Sequence, residues 1–386
     1  MNVQRWMSAK FFVFFMTWGI FLPYWTGWLI NVKSISIGEA SIIMSAGLLM
    51  RGVSTLLVFP FAAERLSNQT LLRIMAIGSF IALISYIPAT SFTALLLVTL
   101  LLHLFYPALM PALDSVAGLL AQHKQLPNYG KSRSWGSIGF VVAGMTLTLF
   151  TASLGETAIF WALLFTTLLF TILTLRPSPA VLTSPPPRSE SSVSIKTLLN
   201  NRSFLLILAI VILLQAAHAV YYNYGYIFLQ HIGAPASAIG LIINIAVIAE
   251  IIFFSVADRL LRTISIGSLL AIAALGSTVR WLLIFISPTL VVFCLAQTLH
   301  ALSFAMGHYA FMKFLINEVP QAAISKAQGI YSALALSWST ALLTMLGGYL
   351  YEIEPRYAFL GMISCTVPSM MLALSYRHKT KNLSTN

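Results

Sequence analysis

The chain has 386 residues, 59% of them hydrophobic and only 8% charged, with a formal net charge of +12. Soluble domains carry roughly 25% charged residues, so an aqueous globule is excluded: no soluble core hides this much apolar surface, and the bilayer must be the solvent. The positive charge does not mark a nucleic-acid partner, because its placement follows the apolar runs described next.

Twelve runs are long enough to cross about 30 Å of hydrocarbon as helices. They are 6–30, 40–62, 70–89, 92–121, 134–152, 157–175, 203–229, 237–257, 266–286, 289–315, 327–350 and 357–376. Run 6–30 has a basic start (Arg5, Lys10), is too long for a signal-peptide core and is expected to be a retained first helix; it carries Tyr24, Trp25 and Trp28. Run 40–62 contains one charge, Arg51, and leads into Ala63-Glu64-Arg65-Leu66. Run 92–121 contains His103 and Asp114, whose spacing puts them within about 20° on one helix face. Pro107 and Pro111 lie between them and are expected to bend that helix. Arg133 precedes run 134–152, in which Gly136, Gly139 and Gly144 allow close helix contact.

Residues 176–203 are dense in Pro and Ser, a composition that resists packing. They read as a cytoplasmic linker, dividing the chain into a half at 1–176, a linker at 177–202 and a half at 203–386. In the second half, run 203–229 carries His218, Tyr221, Tyr222, Tyr224 and Tyr226. Run 237–257 contains one charge, Glu250, and leads into Asp258-Arg259-Leu260-Leu261-Arg262. Arg280 lies in run 266–286; in 289–315, His300, Phe304 and His308 follow four-residue spacing and form one stripe.

Of the 22 Lys and Arg, 18 fall on one side of the resulting topology; Lys33 and Arg356 fall on the other, and Arg51 and Arg280 lie within it. By the positive-inside rule both termini are cytoplasmic and the number of spans is even. The halves also repeat. Ala63-Glu64-Arg65-Leu66 matches Ala257-Asp258-Arg259-Leu260, Arg133-Ser134-Trp135-Gly136 matches Lys326-Ala327-Gln328-Gly329, and Leu102-His103 matches Leu299-His300, at offsets of 194, 193 and 197. The expected fold is an all-α membrane protein of twelve transmembrane helices in two pseudo-symmetric six-helix halves, with the substrate site between them near the midplane.

A charge at the bilayer centre costs at least about 2.5–3.5 kcal/mol, so Arg51, Asp114, Glu250 and Arg280 point to a polar pathway. Counting residues puts Arg51, Glu250, His103 and His300 near the midplane, Arg280 nearer the outer face, and Asp114 and His308 nearer the cytoplasm. Two readings of Glu250 stand: a carboxyl that binds and releases protons across the membrane, or a permanent partner of an Arg. His300 and His308 either join a proton relay or make helix-to-helix hydrogen bonds. A proton on Glu250 would free an Arg to fork onto an anionic substrate. The aromatic residues of the first and seventh runs, including Tyr24, Trp25 and Tyr222, form either an interfacial belt or a ring-binding wall.

No enzyme signature is present. Gly130-Lys131-Ser132 has Gln125 where a phosphate loop needs glycine, and HExxH and GxSxG are absent. Cys294 and Cys365 lie inside runs with no metal or disulfide spacing, and no cofactor is expected.

Several segments carry a family resemblance. Asp258-Arg259-Leu260-Leu261-Arg262 resembles the loop signature of the major facilitator superfamily, with Glu64-Arg65 a degraded first copy; this implies a charge clamp at the helix ends. Asn128-Tyr129-Gly130-Lys131-Ser132-Arg133-Ser134-Trp135-Gly136-Ser137 resembles the corresponding loop of 3-phenylpropionate permeases. So do Leu213-Leu214-Gln215-Ala216-Ala217-His218-Ala219-Val220-Tyr221-Tyr222, Ile248-Ala249-Glu250-Ile251-Ile252 and Val279-Arg280-Trp281. That resemblance implies a proton-coupled symporter of the bacterial inner membrane, a monomer, taking up an aromatic carboxylate. More distant similarity to lactose permease implies a pairing of Asp114 with Arg133, and a set of Glu250, Arg280 and His300 or His308 for the proton. The candidate substrate contacts are Arg280, His218, Tyr222 and Arg133, with Tyr24 and Trp25 from the aromatic clustering and Arg51 on depth and charge alone. A sugar or nucleoside symporter, and a membrane sensor that binds without transport, are the alternatives.

Overall fold

The structure, a computed structural model, describes residues 2–184 and 198–384. Among the described residues, eleven helices are long and apolar enough to cross a bilayer: α1 (Val3–Asn31), α2 (Ile37–Ala63), α4 (Phe92–Gln122), α5 (Tyr129–Leu154), α6 (Thr157–Leu175), α7 (Arg202–His231), α8 (Ala236–Leu260), α9 (Ile266–Ile286), α10 (Leu290–Glu318), α11 (Lys326–Ile353) and α12 (Pro355–His378). A shorter apolar helix, α3 (Asn68–Ile84), completes the expected set of twelve. No strand occurs among the described residues. The centre of the expected linker, 185–197, lies outside them.

Local chemistry sets the helix ends. Asn2, Ser36, Ser67, Ser91, Asn128, Asn201, Ser265 and Thr289 each cap a helix by accepting from a first-turn N–H. At Ser36, Glu39 returns a bond to the cap N–H, closing a capping box. Gly155 ends α5 at φ +74° and Gly233 follows α7 at φ +81°, a backbone region closed to most side chains. Large apolar side chains such as Leu149 (66% exposed) and Val291 (70% exposed) point outwards, a surface that acyl chains match and water does not.

Two compact units divide the chain: Met1–Arg188 with Pro235–Leu241, and Ser189–Ala234 with Ile242–Asn386. In the first, α1 and α5 cross where side chains vanish. A Cβ at Gly139 would meet the Phe12 carbonyl oxygen, and one at Gly19 would lie 2.7 Å from that of Phe140. In the same unit, Gly240 at the start of α8 donates its N–H to Thr148 Oγ1 at 2.8 Å and packs on Gly144. The glycines of α5 thus serve close approach, as their sequence spacing suggested. The second unit has a core built on Phe204, Leu214, Leu270, Phe311, Phe314 and Tyr331.

Lys10, at the basic start of the first run, is buried inside α1 and donates to the Leu173 carbonyl at 2.6 Å. Arg73 reaches the Thr174 and Leu175 carbonyls. Two cations therefore satisfy the orphan carbonyls at the end of α6, where the helix dipole is negative.

Candidate functional site

The helices break where the polar residues sit. In α7 the helical hydrogen bonds shift at Gln215–His218: the His218 N–H goes to the Gln215 carbonyl at 3.0 Å. The Leu214 carbonyl this leaves free takes the His218 ring, Nδ1 donating at 2.9 Å. In α4 Pro107 offers no N–H, and Tyr106–Ala108 tightens into a 3₁₀ turn, the bend expected there. In α2 a π turn, Ser54–Val58, follows Arg51; in α10 another, Ala301–Met306, begins immediately after His300. Such bulges change the register of side chains along a helix and are frequent at functional sites.

In the second unit these breaks assemble one connected polar cluster. Arg280 is 0% exposed. Its NH1 donates to His300 Nδ1 at 2.8 Å and to Ser303 Oγ at 3.2 Å, and its NH2 to Gln297 Oε1 at 2.7 Å. The guanidinium carbon lies 4.5 Å from the ring centroids of both Tyr221 and Trp281, a cation–π contact strengthened by the dry setting. Gln297 in turn donates to the Tyr221 hydroxyl at 3.0 Å and the Ile242 carbonyl at 3.4 Å. On the far side of His300, Nε2 stands 3.7 Å from Glu250 Oε2.

The donor and acceptor chemistry orders these bonds. A guanidinium only donates, so His300 Nδ1 must be the acceptor and the ring proton of neutral His300 lies on Nε2, facing Glu250. A carbonyl only accepts, so His218 carries its proton on Nδ1 toward Leu214. Its Nε2 therefore accepts from Ser303 Oγ at 3.0 Å. The chain runs Arg280 to Ser303 to His218 in one direction and Arg280 to His300 to Glu250 in the other. Tyr222 stacks on His218 with ring centroids 5.9 Å apart.

His308 stands one step off this cluster. The expected stripe is present, with rings of His300, Phe304 and His308 nearly parallel at 5.1 and 6.2 Å, and His308 Nδ1 meets the Tyr331 hydroxyl at 3.2 Å. Arg280, placed by residue counting nearer the outer face than His300, reaches it directly with its long side chain.

In the first unit Arg51 lies 5.4 Å from the Trp18 ring, which stacks on Tyr106 at 5.6 Å. Tyr106 shares a hydrogen bond with Thr17 at 2.8 Å. His103 is pressed against Gly47 of α2 and donates Nδ1 to the Thr99 carbonyl at 2.9 Å. Tyr24 is buried, and Trp25 belongs to an aromatic pile with Trp28 at 4.5 Å and Tyr86 at 5.0 Å. The Trp25 ring is thus consumed by packing, an outcome that neither the interfacial-belt nor the ring-binding reading anticipated.

Asp114 and Arg133 act on one another through charge, as the resemblance implies, but their side chains are not joined directly. Asp114 Oδ1 accepts from the Tyr129 hydroxyl at 3.1 Å, while the Arg133 guanidinium lies 4.2 Å from the Phe15 ring. Tyr129 is one helical turn before Arg133 and reaches the carboxylate first. Nor do His103 and Asp114 work together. His103 faces Gly47 and Phe21, Asp114 faces Tyr129, and the 3₁₀ turn between them breaks the spacing that put them on one face.

At the helix-end motifs, Glu64 and Arg65 are both exposed and 4.0 Å apart, with Arg65 over the Phe61 ring. In the second copy Asp258 meets the Tyr309 hydroxyl. Lys313 donates to the carbonyls of Leu261, Arg262 and Ile264 and pins the loop that carries Arg262, just after Arg259 in the last turn of α8.

Gln297 and Ser303 are the members that sequence reasoning missed. Gln297 and Ser303 each stand three residues from His300, the i,i+3 distance that marks one helix face, and that spacing was the available signal.

Long apolar helices make this a multi-pass membrane protein, and the chain belongs to the MFS_1 like family, whose model matches residues 4–361; with the relatives that follow, this makes it a transporter, not an enzyme. It is 31% identical over 375 residues to the "Probable 3-phenylpropionic acid transporter" of Escherichia coli (strain K12), covering 95% of this chain and 96% of that one. It is 28% identical over 300 residues to the "Maltose permease" of Geobacillus stearothermophilus, 77% and 75% of the two chains. A crystal structure of a mutant of the nucleoside transporter NupG superposes with a TM-score of 0.83 at 18% identity, covering 97% of this chain and 99% of that one. At that identity the likeness speaks for the fold alone.

Proposed function

We propose that the protein is a proton-coupled symporter that imports 3-phenylpropionate or a related aromatic carboxylate across the bacterial inner membrane. The observation that carries this reading is His300 standing within reach of both Arg280 and Glu250. Gln297 and Ser303 are neutral, so the charge that balances buried Arg280 comes through His300 from Glu250. A proton taken up by Glu250 removes that balance. A substrate carboxylate restores it, and a guanidinium presents the fork that a carboxylate fits. Proton and anion then load together, because either alone leaves an uncompensated charge in low dielectric. Tyr221, Tyr222 and Trp281 supply ring faces for an aromatic body. The name of the Escherichia coli relative supports the same substrate class.

Alternating access would move residues 1–176 against 203–386 about the linker at 177–202, with both termini cytoplasmic and the chain acting as a monomer. Glu64 and Arg65, with Asp258, Arg259 and Arg262, would act as the clamp at the helix ends. Arg51, with Trp18 beside it, would be the second cationic contact. Asp114, held by Tyr129, and His308 would serve as secondary proton stations.

Sealed proteoliposomes test this. An inside-alkaline pH gradient should drive accumulation of 3-phenylpropionate, and Glu250→Gln should keep exchange while losing uphill uptake. Binding without accumulation would leave a sensor, and full concentrative uptake by Glu250→Gln would take the proton from that residue. The maltose permease relative favours a second reading, sugar symport. Counterflow against aromatic acids, maltose and nucleosides separates the two.

A further inference from the structure

We propose that the cavity at the C-terminal end of α1 binds the acidic headgroup of an outer-leaflet phospholipid. This cavity is an open cleft of about 320 Å³, lined by Trp28, Lys33, Tyr86, Thr90, Thr157 and Trp161, with Ile87 at its rim. It lies wholly within the first unit and contains none of the residues assigned to transport.

Lys33 supplies the charge. Its Nζ donates to the carbonyls of Tyr86 at 2.8 Å and Ala89 at 2.7 Å, which hold the ammonium at the cavity wall. An ammonium has three N–H groups, and these two carbonyls use two of them. Thr90 and Thr157 are exposed residues on the same wall, with the Thr157 hydroxyl donating to the Leu154 carbonyl at 3.4 Å and keeping lone pairs of its own. Thr157 opens the 19-residue helix α6, whose N-terminal dipole is positive. Glu156, the carboxylate just before it, accepts from Asn31 Nδ2 at 3.0 Å. Partial burial lowers the Lys33 ammonium from its ordinary value, and a bound acid would oppose that shift.

The surroundings select a lipid. Trp161 is 58% exposed and Ile87 51%, an apolar rim that in a bilayer meets acyl chains, with an indole at the headgroup level. Phosphate against Lys33 and the two threonines, with the acyl chains leaving over Trp161 and Ile87, satisfies both halves of such a molecule. By the proposed topology this end of α1 faces outwards, where Lys33 is one of only two Lys or Arg residues. Attraction there is local rather than the diffuse pull of the basic cytoplasmic face.

The test maps contacts by position, because cytoplasmic cations also hold acidic lipid. Full-length protein in phosphatidylcholine nanodiscs is irradiated with phosphatidylglycerol bearing a photoreactive headgroup, and the labelled peptides are identified. Adducts are expected on 87–90 and 157–161. They should fall at least fivefold in Lys33→Gln, return in Lys33→Arg, and leave cytoplasmic labelling unchanged. Thr90→Val with Thr157→Val, which spares the Lys33 bonds, should lower the same adducts severalfold and covers the case in which Lys33→Gln does not fold. The proposal is overturned if these peptides are unlabelled, if the variants label as the parent does, or if a photoreactive phosphatidylcholine labels them equally. Suppression by excess 3-phenylpropionate would make the cavity a site for the soluble acid and would also overturn it.

Discussion

Arg280 keeps its charge in a site with no exposed surface, and everything around it follows from that. Of the five N–H groups on its rigid fork, three are taken up by His300, Ser303 and Gln297. Replacing Gln297 by Leu strands part of that fork and should cost about 1–3 kcal/mol, read as a lowered midpoint of thermal unfolding in detergent. The same geometry sets the His300 tautomer: nitrogen-15 spectra should show Nδ1 bare and Nε2 protonated near neutral pH, and a proton on Nδ1 would contradict the arrangement. At this scale the sequence was informative about which residues matter and poor on who touches whom. Glu250, Arg280, His218 and His300 stand out as polar residues in apolar runs. Gln297 and Ser303 do not, since neutral polar residues are common in such helices. Asp114 and Arg133 keep a charge interaction, but the hydrogen bond to the carboxylate comes from Tyr129, a turn earlier, which the linear pattern did not indicate.

At the scale of elements, the helices are uniform in composition and differ in where they break. The π turns after Arg51 and at Ala301–Met306, the 3₁₀ turn at Tyr106–Ala108 and the shift at His218 each adjoin a polar side chain. Apolar periodicity locates a helix but carries no mark of an inserted residue, so only the break at Pro107 was legible beforehand. Close helix crossings were legible, because glycine in a transmembrane run has few other reasons to be there. Gly139→Ala should separate α1 from α5, since the added carbon meets the Phe12 backbone, which no rotamer change relieves. A fall in thermal stability of roughly 1–3 kcal/mol is expected. Gly118→Ala meets nothing within 4 Å and should be neutral or gain up to about 1 kcal/mol. Equal effects of the two would remove close approach as the reason for Gly139.

At the scale of the whole molecule, charge decides orientation. With 18 of 22 Lys and Arg assigned to one face, reporter fusions at either terminus should both read cytoplasmic; a split result would overturn the proposed topology. Uptake of a monovalent acid with one proton should also be electroneutral, so a membrane potential without a pH gradient should drive none. The sequence by itself determined the solvent, the number of apolar helices and the family resemblance. These depend on composition and on periods of a few residues, which the chain carries in linear order. Only the tertiary structure decided that Arg280 reaches Glu250 through His300, that Trp25 is consumed in packing, and that Lys33 stands over a cavity. Each of those depends on which helices cross and where they are broken, and such contacts join residues tens of positions apart that no local pattern connects.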